Sequence, residues 1–243
     1  MARLWLCPRN RGKWGEMDVI VNKSGPILLI GGGEAPLAEL QALAQLCVAV
    51  VAADGGADAA LNAGLMPDAV IGDLDSLSEQ ARLRIPAQQI HFVAEQDSTD
   101  FEKSLARLAA PMIFGVGFLG GRFDHALAAQ TVLVRYPHRK CILLGSEDIV
   151  FLAPPRLSLD LPLETRLSLF PMAPVKILSE GLYWPTRGLT FQPDGQVGTS
   201  NKVSGPLRLQ PEKAKMLVIL PRLHLAQVAA ALDAAPSWPA FGT

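Results

Sequence analysis

Four nearly unbroken apolar runs constrain this chain most: PILLIGG (26–32), CVAVVAA (47–53), MIFGVGF (112–118) and CILLG (141–145). None alternates polar with apolar residues, so none reads as a strand with one wet face. A strand that is apolar on both sides has to be covered on both sides. That is the situation of a parallel sheet between layers of helices. The stretches between the runs supply the helices. Pro36 opens a helical pattern over residues 36–46, a short one follows DGGA around Leu61, and residues 98–108 and 123–134 read as two more. DAVIGD (68–73) and HFV (91–93) add two strands to the alternation.

The pattern changes near residue 148. IVFLAP, RLSLFPM, VKILSEG, LTFQ, PLRLQ and MLVILP are short runs broken by proline and glycine, and several alternate. They predict a small antiparallel sandwich or barrel. The expected organisation is a lead-in over 1–25, an α/β domain with a mostly parallel sheet over 26–147, an all-β sandwich domain over 148–221, and a tail over 222–243 with one short helix at 224–232.

With 49% hydrophobic and 19% charged residues, the 243-residue chain has the composition of a folded protein. A formal net charge of −1 gives no electrostatic case for nucleic acid or an anionic membrane surface. No apolar run approaches the ~20 residues that span a bilayer. MARLWLCPRNRGKWGEM at the start lacks the apolar core and cleavage site of a secretion signal. It reads as an extension, with Met17 an alternative start. Cys7, Cys47 and Cys141 are widely spaced and odd in number, which argues against a disulfide framework and for a reducing cytoplasm. Cys47 and Cys141 sit in apolar runs and are expected in the core.

Four polar clusters fall at the carboxyl ends of expected strands, where open α/β sheets bind ligands. ADGGA (53–57) lets a backbone approach a ligand closely, although alone it is also an ordinary turn with Asp54 as helix cap. GGGE (31–34) has the same ambiguity and does not match a dinucleotide-binding fingerprint. In IGDLDS (71–76), Asp73 and Asp75 stand two apart. On an extended strand they would share a face about 6.5–7 Å from each other, a spacing a hard cation bridges. Ser76-x-x-Glu79 also makes a capping box, which accounts for Ser76 and leaves Asp73 unexplained. EQDSTDFEKSL (95–105) carries Asp97, Asp100 and Lys103 around a second capping box, Thr99-x-x-Glu102. Lys103 is placed there to reach a phosphate. GFLGGRFDHAL (117–127) sets two glycines and Arg122 ahead of Asp124 and His125 at a helix start, a phosphate-binding combination. Together the four imply a phosphate-and-metal site of the phosphoryl-transfer class.

ADGGA, GDLDS, QDSTDFEKSL and GGRFDHAL, in this order, resemble the thiamine pyrophosphokinase family, and so do the later GLYWP (181–185) and TSN (199–201). The resemblance runs over residues 26–221. It implies an N-terminal α/β domain for ATP and Mg²⁺, a C-terminal β-sandwich for thiamine, and a homodimer with thiamine bound where the subunits meet. The implied reaction moves the terminal diphosphate of ATP to the hydroxyethyl oxygen of thiamine, giving thiamine diphosphate and AMP. By the resemblance Asp73, Asp75 and Asp100 hold Mg²⁺ and act with Arg122 in catalysis. Asp54, Gly55, Gly56, Gln96, Ser98, Thr99, Lys103, Gly121, Arg122, Asp124 and His125 line the nucleotide side. Trp184, Ser200 and Asn201 meet thiamine. Two rival readings use the same carboxylates: a Mg²⁺-dependent nucleotide phosphohydrolase, and a non-catalytic nucleotide or thiamine sensor.

Overall fold

The computed structural model describes residues 18–95 and 97–240. The extension at the start, with Cys7 and Met17, and Gln96 therefore lie outside the described residues. In chain order the elements are β1 Val21–Asn22, β2 Ile27–Ile30, α1 Leu37–Ala44, β3 Ala49–Ala53, α2 Gly56–Asn62, β4 Ala69–Gly72 and α3 Glu79–Arg84. There follow β5 Ile90–Phe92, α4 Asp100–Ala106, β6 Leu108–Ala109, β7 Ile113–Val116, α5 Phe123–Arg135 and β8 Cys141–Leu144. The β-rich half adds β9 Asp148–Leu152, β10 Leu157–Leu159, β11 Arg166–Pro171, β12 Ile177–Leu182, β13 Gly198–Pro211 and β14 Met216–Pro221, and α6 Leu225–Ala234 closes the described chain.

The main sheet runs β10-β13-β11-β14-β9-β8-β7-β2-β3-β4-β5. From β8 to β5 every pairing is parallel, with Leu28 facing both Val50 and Phe114. The doubly apolar runs have the physical cause expected of them. Ile27 and Leu29 enter one buried layer and Leu28 and Ile30 the other, because successive strand residues point to opposite faces. From β2 the chain moves outward through β3, β4 and β5, then returns to the other side of β2 as β7 and β8. The carboxyl ends of β2 and β7 thus flank a topological switch point, where ligands bind in open α/β sheets.

The β-rich half continues the sheet. β9 pairs antiparallel with β8, and β14 and β11 follow in the same plane. The layer holding Leu28 and Phe114 runs on through Leu169, Leu209 and Met216. β13 serves two sheets. Its first part pairs with β11, and its second part pairs with β10 and β12. Gly205 and Pro206 lie between the two parts, and proline cannot donate to a ladder.

Several local expectations shift. LTFQ forms only an isolated bridge, Val175 to Phe191. The helix expected over 98–108 ends at Ala106, and Leu108 passes into β6 to pair with β1. The cap of α3 is Ser78, whose hydroxyl accepts from the Ala81 N–H, and not Ser76. Cys141 is buried, Cys47 half-buried, and both are free.

Candidate functional site

Parallel pairing of β3 with β4 in the register Ala53 to Ile71 sets Asp54 beside Gly72 and next to Asp73. Asp54, Asp73 and Asp75 converge there, with one carboxylate oxygen of each lying within 4.8 Å of the others. The convergence of Asp73 and Asp75 is not produced by strand alternation. β4 ends at Gly72, and Leu74 between the two aspartates is left-handed, φ 62°. Asp54 is left-handed too, φ 43°. Such backbone is costly for a residue with a side chain, and it accumulates at functional sites.

Asp54 does not cap its own helix. The N-cap of α2 is Gly55, and the Asp54 carboxylate accepts from the Ser76 N–H at 3.1 Å. Gly56 packs so closely under β2 that a Cβ there would meet the Ile30 carbonyl oxygen at 2.0 Å. No larger residue fits without displacing the turn that presents Asp54. Asp75 accepts from the Ser76 hydroxyl at 2.9 Å. Burial, then the neighbouring Asp75 and Asp100, push the Asp54 carboxyl up to about 6.

Thr99 caps α4, accepting from the Glu102 N–H, so half of the expected capping box forms. The Glu102 carboxylate instead binds Arg135. α4 places Lys103 at 2% exposure, with its ammonium donating to Asp73 at 2.7 Å and to Asp100 at 3.1 Å. That hydrogen bond holds the Asp73 carboxyl below the usual carboxylate range. Burial opposes the Lys103 charge, and the two aspartates outweigh it, raising the lysine above its ordinary value. Among the sequence candidates, then, the third converging carboxylate is Asp54, and Asp100 joins through Lys103. Lys103 is committed to carboxylates where the sequence reading aimed it at phosphate.

The donor set suits a hard divalent cation. One oxygen on Asp54 and one on Asp73 are buried without a hydrogen-bond partner. Unpartnered buried carboxylate oxygens are costly, and oxygen ligands at this spacing are what Mg²⁺ takes. Ser98 is in the same position, its hydroxyl buried and unpartnered at the entry to α4.

On the other side of the switch point, Gly121 (φ 62°) leads to Arg122, which caps α5 by its position with no side-chain hydrogen bond to the helix. The exposed Arg122 guanidinium pairs with Asp124 through contacts of 3.2 and 2.6 Å. An exposed pair of this kind is weak and easily exchanged, and His125 beside it is exposed. A separate recess of about 640 Å³, edged by His91, Phe92, Glu95 and Arg107, includes none of the converging carboxylates.

Trp184, Ser200 and Asn201 form a distant group. Asn201 is buried. Its side chain accepts from the Trp184 N–H at 3.2 Å and donates to the Trp184 carbonyl at 2.8 Å. Ser200 is left-handed, φ 59°, and its N–H donates to Ser168. Trp184 is 54% exposed, and its ring meets Tyr183 edge-on at 4.8 Å. Asn201 on β13 stands eight strand steps from β4, which is about 38 Å along the sheet at ~4.8 Å a step.

Residues 40–144 match the family described as thiamin pyrophosphokinase, catalytic domain. The chain is 31% identical over 156 residues to thiamine pyrophosphokinase 3 of Oryza sativa subsp. japonica, covering 56% of this chain and 58% of that one. It is 34% identical over 113 residues to the thiamine pyrophosphokinase of Bacillus subtilis, covering 43% and 53%. The chain thus spans under two thirds of the length of these relatives. Its fold is similar to the thiamin pyrophosphokinase structure from Candida albicans, with TM-score 0.68, 20% identity, and coverage of 82% of this chain and 89% of that one. The structure from Geobacillus thermodenitrificans gives TM-score 0.67, 22% identity, and coverage of 81% and 96%.

Proposed function

We propose that this chain belongs to the thiamine pyrophosphokinase family, whose catalytic-domain model matches residues 40–144 and whose members it resembles, and that its activity is diphosphoryl transfer from ATP to thiamine. The observation that carries the reading is the meeting of Asp54, Asp73 and Asp75 at the carboxyl edge of the sheet, with unpartnered oxygens on two of them. These three would hold Mg²⁺, which supplies positive charge against the phosphate oxygens of ATP. Lys103 keeps Asp73 ionised and holds both Asp73 and Asp100 in place. Arg122 can leave Asp124 for a phosphate at small cost, and the open N–H groups starting α5 face the same anion. Asp54, Gly55, Gly56, Gln96, Ser98, Thr99, Gly121, Asp124 and His125 would border the nucleotide.

In the transfer, the thiamine hydroxyl oxygen gives up its proton, which ends in solvent, and bonds to the β-phosphorus of ATP. The bond from that phosphorus to the α–β bridging oxygen breaks, and AMP departs with the electron pair. The chain contributes positioning and charge neutralisation. Trp184 offers a flat exposed face to an aromatic substrate, and Asn201 fixes the loop that carries it. Eight strand steps separate this face from the carboxylates of the same chain, which supports a homodimer whose site takes its thiamine face from the second copy. The free cysteines suit a reducing cytoplasm.

The test is one incubation with ATP and Mg²⁺, with and without thiamine, resolving nucleotides and thiamine esters. AMP and thiamine diphosphate in equal amounts, formed only with thiamine, is the expected result. Phosphate release indifferent to thiamine would replace the reading with a hydrolase. Unchanged ATP would leave a sensor.

A further inference from the structure

Three consecutive residues of α4 attach to three different parts of the site's frame. The Phe101 ring lies on Phe118, with centroids 4.5 Å apart and planes at 46°. Buried Glu102 takes the Arg135 guanidinium on both oxygens, at 3.1 and 2.8 Å, at the far end of α5. Lys103 carries Asp73 and Asp100. Successive helix positions diverge by about 100°, so this short helix is fixed from three directions.

Phe118 reaches furthest among these contacts. It follows β7 and precedes the turn in which Gly120 and Gly121 take φ of 122° and 62°. One edge of its ring fills the space a side chain on Gly31 would need. A Cβ on Gly31 would lie 2.6 Å from Phe118 Cε1 and 2.8 Å from the Gly117 carbonyl oxygen. The other edge lies over Gly115, whose Cβ would stand 3.4 Å from Cδ2. One ring therefore touches the turn after β2, the strand β7 and, through Phe101, the helix that holds Lys103 and Asp100. Turns rich in glycine have many accessible conformations. An aromatic ring with two side-chain torsions, packed against Gly31 of the first turn and anchored just ahead of the second, removes much of that freedom.

We propose that Phe118 is a positioning residue. It keeps the glycine turn after β2, the glycine–arginine turn before α5 and the carboxylate–lysine arrangement at α4 in a single register. Its effect on turnover rests on the diphosphoryl-transfer reading, whereas its effect on cation affinity does not.

The variants are Phe118→Leu, Phe101→Leu and their combination, with Phe118→Met, which is about leucine's size but has a flexible, polarisable chain that keeps a favourable contact to Phe101. Misplacement of a site's supports by ~1 Å costs up to ~10²-fold. Each leucine variant is therefore expected to lower kcat about tenfold and to leave KM for thiamine within about twofold. Affinity for Mn²⁺ alone, titrated by electron paramagnetic resonance without nucleotide, should fall at least about threefold. The double variant should lose no more than the worse single one, because both open the same contact, and Phe118→Met should retain most of the parent's values. If the variants lower only the urea midpoint, with kcat and Mn²⁺ affinity near the parent's, the ring is core filling and the proposal is overturned. Losses that multiply in the double variant overturn it as well. A parent chain that makes no thiamine diphosphate would remove the proposed activity, and the Mn²⁺ titration would still decide for or against Phe118.

Discussion

Asp54→Asn should stabilise the metal-free protein and disable it. Asp54 is 1% exposed, and burial with two neighbouring carboxylates raises its carboxyl from 3.8 to about 6. The folded state therefore holds the proton more tightly than the unfolded chain. Stability from this group is fully present below pH 3.8 and is lost as pH rises through 6. A gap of about 2 pH units at ~1.36 kcal/mol each sets a ceiling near ~3 kcal/mol. Solvent on the open side of the cluster reduces this to about 1–2 kcal/mol. Asparagine removes the charge and keeps an oxygen for the Ser76 N–H. In EDTA at pH 8 the urea midpoint should rise by about 0.5–1 M, and at pH 4 the two proteins should coincide. Mg²⁺ should stabilise the parent more than the variant, and turnover should fall at least ~100-fold, the scale of losing one preorganised electrostatic group. A variant less stable than the parent in EDTA at pH 8, or a difference that does not change with pH, would refute the reasoning.

The same proton predicts that Mg²⁺ affinity weakens as pH falls below about 6, since binding has to expel it; calorimetry in buffers of different ionisation enthalpy should show protons released at pH 5.5 and few at pH 8. Asp73→Asn should lower turnover at least ~100-fold with the fold intact, because Lys103 keeps Asp100; near-normal turnover at saturating Mg²⁺ would sink Asp73 as a ligand. Mixing inactive Asp73→Asn with inactive Asn201→Ala should restore up to about a quarter of parental activity if two copies share each site, and no recovery after subunit exchange would count against the shared site.

The strands of the α/β half were legible because burial on both faces leaves a pattern in one dimension. The turn residues were legible because aspartate and glycine collected after those strands. Asp54's place among the converging carboxylates was not, since it depends on which residue of β3 lies beside β4, and the Ala53 to Ile71 register exists only in the folded sheet. Leu74 carried no signal at all: a leucine gives no warning of φ 62°. Lys103 was read as a phosphate ligand because its spacing from Asp100 was visible and Asp73, thirty residues away, was not. β13 was seen only in part as PLRLQ, because its Gly205 and Pro206 look like an end and are a change of partner.

Continuity of the sheet limits how the two groups of site residues can meet. β9 joins the halves through an antiparallel ladder with β8, and a shared core layer runs beneath it from Leu28 to Leu209. Hinge closure needs a joint with few contacts, and this junction is a hydrogen-bonded ladder over a packed layer. Twist shortens the straight line from Asn201 to Asp73, but the strands between them remain in order. Trp184 is held by Asn201 to the far side of that order, with its ring facing outward. The carboxylates are likewise held by Gly56, Lys103 and the Ser76 N–H. Two half-sites held on one continuous sheet do not close on each other, and that separation is the geometric support for the proposal that the thiamine face comes from a second copy of the chain.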